Sequence, residues 1–68
     1  ERVALAIADF SRALEFAPRD VVVLLNRAAA FERAGQLAAA RTDLDRVLAI
    51  MPAHEQALSE LARLKQRQ

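Results

Sequence analysis

Residues 21–52, VVVLLNRAAAFERAGQLAAARTDLDRVLAIMP, decide the fold. Leu24, Ala28, Phe31 and Ala34 recur every three or four residues, which puts them on one face of an α-helix. Gly35 interrupts that pattern. A second apolar stripe, Leu37, Ala40, Leu44, Val47 and Leu48, stops before Pro52, which has no amide hydrogen to continue a helix. With only Gly35 and Gln36 between the stripes, the two helices are expected to fold back on each other as an antiparallel pair.

The rest of the chain repeats the halves of this unit. Pro18 and Pro52 stand 34 residues apart, and the same offset pairs Ala4 with Ala38, Ala6 with Ala40, Asp9 with Asp43 and Arg12 with Arg46. It also pairs Leu14 with Leu48, Leu24 with Leu58, Ala28 with Ala62 and Arg33 with Arg67. Conservative pairs such as Val3 with Leu37, Phe10 with Leu44, Ala13 with Val47 and Phe16 with Ile50 keep the register. Small residues at Ala6, Ala28 and Ala40 let helix backbones approach, and Phe10, Phe31 and Leu44 fill the space between them. An ordinary alanine-rich bundle obeys the same packing rules but needs no fixed repeat period.

Leu24, Ala28, Phe31, Ala40, Leu44, Val47 and Pro52, with Ala6, Phe10, Ala13 and Pro18 before them, carry a resemblance to the tetratricopeptide repeat family. Arg27 departs from that family's pattern, which has leucine there. The resemblance implies an all-α fold of antiparallel helix-turn-helix repeats, a four-helix fragment of a right-handed superhelix. Residues 1–68 then form one domain: 1–20 the second helix of one repeat, 21–54 a full repeat, and 55–68 the first helix of the next repeat or a capping helix.

Composition bounds the function. Sixty-eight residues bury only about 60% of the surface of the unfolded chain. Apolar residues make up 54% of the sequence, more than four short helices hide, so some apolar surface is expected to meet another repeat or another molecule. Ten basic and nine acidic residues give a net charge of +1, which offers no field for nucleic acid or acidic lipid. There is no cysteine to form a disulfide or a thiolate metal site, which leaves the compartment open, with the cytoplasm as the working expectation. No apolar run approaches the roughly 18 residues of a membrane span.

Taken in order, the first helix is expected over Glu1–Ala17, with Val3, Ala6, Ile7, Phe10, Ala13, Leu14 and Ala17 buried and Arg2, Asp9, Ser11, Arg12 and Glu15 facing water. Asp20 is a cap for the second helix, Val21–Ala34. Its opening VVVLL is β-branched and could start a strand, but NRAAAFERA is strongly helical and a partner strand is lacking. Gly35 is expected to be left-handed. The third helix, Leu37 to Met51, carries Arg41, Asp43, Asp45 and Arg46 on a face read as solvated, with Arg41 and Asp45 one turn apart. The fourth helix, from Glu55 to the end of the chain, has Ala57, Leu58, Leu61, Ala62 and Leu64 as its apolar set, with Lys65 where Phe31 stood one repeat earlier.

Catalysis is not expected. His54, the single histidine, lacks converging partners and reads as a turn residue at a helix start; Ser11 and Ser59 have no evident base or oxyanion donors. No phosphate-cradling glycine loop occurs, and no cofactor or metal is implied. Binding is the better prospect. The resemblance puts Val22, Leu25, Asn26, Ala29 and Arg33, then Gln56, Ser59, Glu60 and Arg63, on a concave surface lined by the first helix of each repeat, where a protein or peptide segment would lie.

In related modules an asparagine at the place of Asn26 hydrogen-bonds a bound peptide backbone; the alternative is a polar residue that merely faces water. Members that clamp a chaperone's C-terminal carboxylate use basic residues where this chain has Gln56 and Glu60, which disfavours that ligand. Val3, Ile7 and Phe10 form an apolar stripe without a helix to cover it, so self-association about a twofold axis is the alternative to a scaffold. A regulatory piece of a larger enzyme is a third reading.

Overall fold

The computed structural model describes residues 2–67. Four helices follow one another: α1 (Arg2–Phe16), α2 (Val21–Arg33), α3 (Leu37–Ile50) and α4 (Glu55–Gln66). Among the described residues there is no strand, so the all-α expectation holds, including for VVVLL, which forms the first turn and more of α2. The expected helix ends at Glu1 and Gln68 lie outside the described residues. Elsewhere the helices stop one residue short of the expectation, at Phe16, Arg33 and Ile50.

Each boundary has a local cause. Asp20 caps α2, its Oδ1 accepting from the Val23 amide at 3.3 Å. His54 does the same for α4, its Nδ1 accepting from the Ala57 amide at 3.2 Å, which is the helix-start role read from the sequence. Gly35 closes α2 with φ of 79°. The Gln36 amide then donates back to the Phe31 carbonyl at 2.8 Å and the Gly35 amide to Glu32 at 3.0 Å, satisfying carbonyls that the last helical turn leaves open. Ala34, expected on the apolar stripe, is the exposed cap residue of this turn.

Consecutive helices pack on one another, α1 on α2, α2 on α3 and α3 on α4, with α2–α3 the most extensive contact. Side-chain bonds give the direction. Arg27 bonds to Asp43, which lies as far beyond Gly35 as Arg27 lies before it, and to Ser11, which is equally far from Arg27 across Arg19. Such mirror pairs are what antiparallel hairpins produce. Glu32 of α2 reaches across to Arg63 of α4 and to Arg67, which caps its end, so these two helices are also neighbours.

All four helices feed one core of Leu14, Leu24, Ala28, Ala40, Leu44, Val47, Ala57 and Leu64. Burying leucines such as Leu24, Leu44 and Leu64 contributes roughly 1.5–3 kcal/mol each. The slab measures 26 × 25 × 14 Å over its Cα atoms, two helices thick, so every helix keeps one face open.

Three polar residues depart from the expected solvated faces: Asp43, Ser11 and the half-buried Arg41. Asp43 is only 1% exposed, and its two oxygens each accept from Arg27, by Nε and Nη2, at 2.7 Å. Ser11 is half-buried, its Oγ accepting from Arg27 Nη1 at 3.1 Å. The guanidinium also lies 5.4 Å from the Phe31 ring centroid. Besides Ala34, three apolar residues depart the other way: Ala17, Leu58 and Ala62 are exposed. Ala17 lies past the last turn of α1, and the α4 face that bears Leu58 and Ala62 has no helix against it.

Candidate protein-interaction surface

The outward face of α2 is built by helical spacing. Val22 is 65% exposed, Asn26, Ala29 and Arg33 follow it along the same side, and Leu25 is half-buried against the core. Asn26, Ala29 and Arg33 form one wall of an open cleft of about 320 Å³. The opposite wall is α1, through Val3, Ala6 and Phe10, with Arg2 at the rim. A second cleft of about 330 Å³, lined by Val3, Ile7, Arg33 and Gln36 among others, shares Val3 and Arg33 with the first. Together they make a trench between the start of α1 and the end of α2.

The trench joins residues that the sequence assigned to two separate roles. Val3, Ile7 and Phe10, expected in self-association, line it from α1; Asn26, Ala29 and Arg33, expected in peptide binding, line it from α2. Ala6 and Arg2 belong to it as well, although the sequence assigned Ala6 only to close helix packing and Arg2 to water. A signal for Ala6 was present: its repeat counterpart Ala40 is fully covered by a neighbouring helix. The trench floor is apolar, its rim carries Asn26, Arg2 and Arg33, and among the described residues no carboxylate lines either cleft.

The α4 residues of the expected concave surface sit apart from this trench. Gln56 Nε2 donates to Glu60 Oε2 at 3.0 Å, one turn away, and Ser59 is exposed. Arg63 is bound to Glu32 through both nitrogens, Nη2 to Oε1 at 3.0 Å, and Arg67 Nη1 adds a third bond at 2.6 Å. These bonds hold the Glu32 carboxyl below its ordinary range, chiefly through Arg63, and the same contact raises the Arg63 guanidinium. Arg27 is likewise raised by its bond to Asp43, so it keeps its charge at any pH at which the fold is studied.

Among the described residues no group of three or more histidines, cysteines, aspartates or glutamates could hold a metal ion. No helix among them is long and apolar enough to cross a membrane. What the arrangement can do chemically is receive an apolar segment and direct a few hydrogen bonds to it. No family model, curated protein or solved structure matches this chain.

Proposed function

We propose that this chain is a non-catalytic protein-interaction scaffold of tetratricopeptide type, binding a protein or peptide segment in the trench between α1 and α2. The observation that carries the reading is the trench itself: an open apolar wall of Val3, Ala6 and Phe10 facing the directional groups of Asn26 and Arg33. An apolar wall with a sparse polar rim suits an amphipathic segment, whose apolar side packs on the wall while its backbone or side-chain acceptors meet the rim.

Three features support the repeat reading. The identical pairs at the 34-residue offset run through all four helices. Mirror bonds about Gly35 and about Arg19 fit alternating antiparallel helices. Glu32, bonded to Arg63 and Arg67, ties α2 to α4, which are counterparts in the repeat.

The test is a display selection of random peptides on the immobilised chain, followed by affinity measurement on single variants. Asn26→Ala and Arg33→Ala should weaken the selected binders. Arg46→Ala, on the far side where its guanidinium bonds the Pro18 carbonyl, should not. Binders sensitive to Arg46 and indifferent to Asn26 would reject the trench as the binding site.

A further inference from the structure

We propose that the occupant of the trench is α4 of a second copy of this chain, docked head to tail so that the α2–α3 packing is repeated between molecules. This rests on the trench being a docking site for a protein segment, and it names the segment.

The internal repeat supplies the argument. At the 34-residue offset α1 is the counterpart of α3, and α4 of α2. In the middle of the molecule α2 and α3 cover one another: Ala40, Leu44 and Val47 are buried on one side, Leu24 and Ala28 on the other. Their counterparts at the two ends are open. On α1, Ala6, Phe10 and Ala13 are only half-buried, and Phe16, counterpart of the half-buried Ile50, is 89% exposed. On α4, Leu58 and Ala62 are the same residue types as Leu24 and Ala28, yet Leu58 is 48% exposed where Leu24 is 0%. The open faces of α1 and α4 therefore each present one half of an interface that α2 and α3 already make.

Polar groups favour the same pose. Within the chain, Glu32 of α2 meets Arg67, the residue that caps α4. The counterpart of Arg67 is Arg33, on the trench rim, and the counterpart of Glu32 is Gln66, whose side-chain carbonyl would accept from Arg33 of the neighbouring copy. The twofold alternative, trench against trench, sets Arg2 and Arg33 of one copy facing those of the other, with no carboxylate among the described residues that line either side. One element of the internal contact is missing: Leu61 stands where Arg27 would, and Asp9, counterpart of Asp43, keeps Arg12 as its partner at 2.7 Å. The contact between copies is therefore weaker than α2–α3. Because it joins two different faces it does not close on itself, and copies add successively.

Sedimentation equilibrium on the full chain tests this. The wild-type average mass should rise with concentration past that of a dimer. Phe10→Glu closes the trench and Leu58→Glu spoils α4, so each variant alone should stay monomeric. An equimolar mixture should form a one-to-one dimer, because one variant keeps a working trench and the other a working α4. Gln66→Glu should lower the concentration of half-association by roughly twofold to fivefold, and Arg33→Ala should remove that gain. If Phe10→Glu loses its helical circular dichroism, Val3→Glu takes its place.

A concentration-independent wild-type monomer would overturn the proposal, and so would variants that do not complement or a Leu58→Glu protein that still dimerises. If the chain is monomeric but selected peptides lose affinity in Phe10→Glu, the scaffold reading stands and only the identity of the occupant falls.

Discussion

Arg27 and Asp43 form a bidentate ion pair across the α2–α3 contact, with both nitrogen–oxygen distances at 2.7 Å and the carboxylate 1% exposed. Arg27 also donates to Ser11, so one side chain links α1, α2 and α3. The pair aligns the hairpin about Gly35, because a one-residue slip of either helix would separate the fork from the carboxylate.

Removing Arg27 strands the Asp43 carboxylate, 1% exposed, without its partner, so Arg27→Leu should destabilise by about 3–5 kcal/mol in urea denaturation. Replacing both together, Arg27→Leu with Asp43→Leu, should recover most of that loss, since an apolar pair avoids the cost of desolvating charge. A double variant as unstable as Arg27→Leu alone would mean that the geometry of the hairpin, and not the unpaired charge, sets the cost.

At Gly35 the φ of 79° is the reason for glycine, since an added Cβ would meet nothing within 4 Å. Gly35→Ala should therefore cost about 1–2 kcal/mol through backbone strain alone. Gly35→Asn should cost less, because asparagine visits this region more readily. Equal thermal shifts for the two variants would contradict a conformational origin.

The helices and most of their ends were legible because periodicity, Asp20, Gly35 and Pro52 are local signals read within one or two turns of chain. Leu24, Ala40, Leu44 and Val47 were legible as core for the same reason. Asp43 and Ser11 were not, since a polar residue on a helix reads as solvated unless its partner is known. That partner, Arg27, comes from a different helix. Leu58 and Ala62 misled in the opposite sense: the pattern marks a face able to pack, and only the fold reveals that no helix among the described residues covers it. The trench was half legible, each wall being readable and their meeting not.

Ala40 tests the packing register. It is 0% exposed in the core that α2 and α3 share, so Ala40→Leu should cost about 1–3 kcal/mol by overpacking. Ala38→Leu, on the exposed side of the same helix, should change stability by no more than about 0.5 kcal/mol. Ser11→Leu is no neutral control, because it removes an acceptor from Arg27. Comparable melting shifts for Ala40→Leu and Ala38→Leu would contradict this register.

Glu32 gives the fold a defined acid response. Its side chain is 17% exposed and bound by Arg63 and Arg67, which holds its carboxyl below the ordinary glutamate value of 4.5 in the folded state. On acidification the unfolded chain takes up this proton first, so protonation favours unfolding. The stability the group contributes is fully present above about pH 4.5 and is lost as the pH falls through its lower folded value. Chemical denaturation at a series of pH values should show stability falling below about pH 4.5, with a smaller slope in Glu32→Gln. The double change Arg63→Ala with Arg67→Ala should flatten the same window, because without the guanidinium groups the folded and unfolded carboxyl values converge. If Glu32→Gln leaves the acid slope unchanged, the bridge between α2 and α4 does not hold the carboxylate in solution.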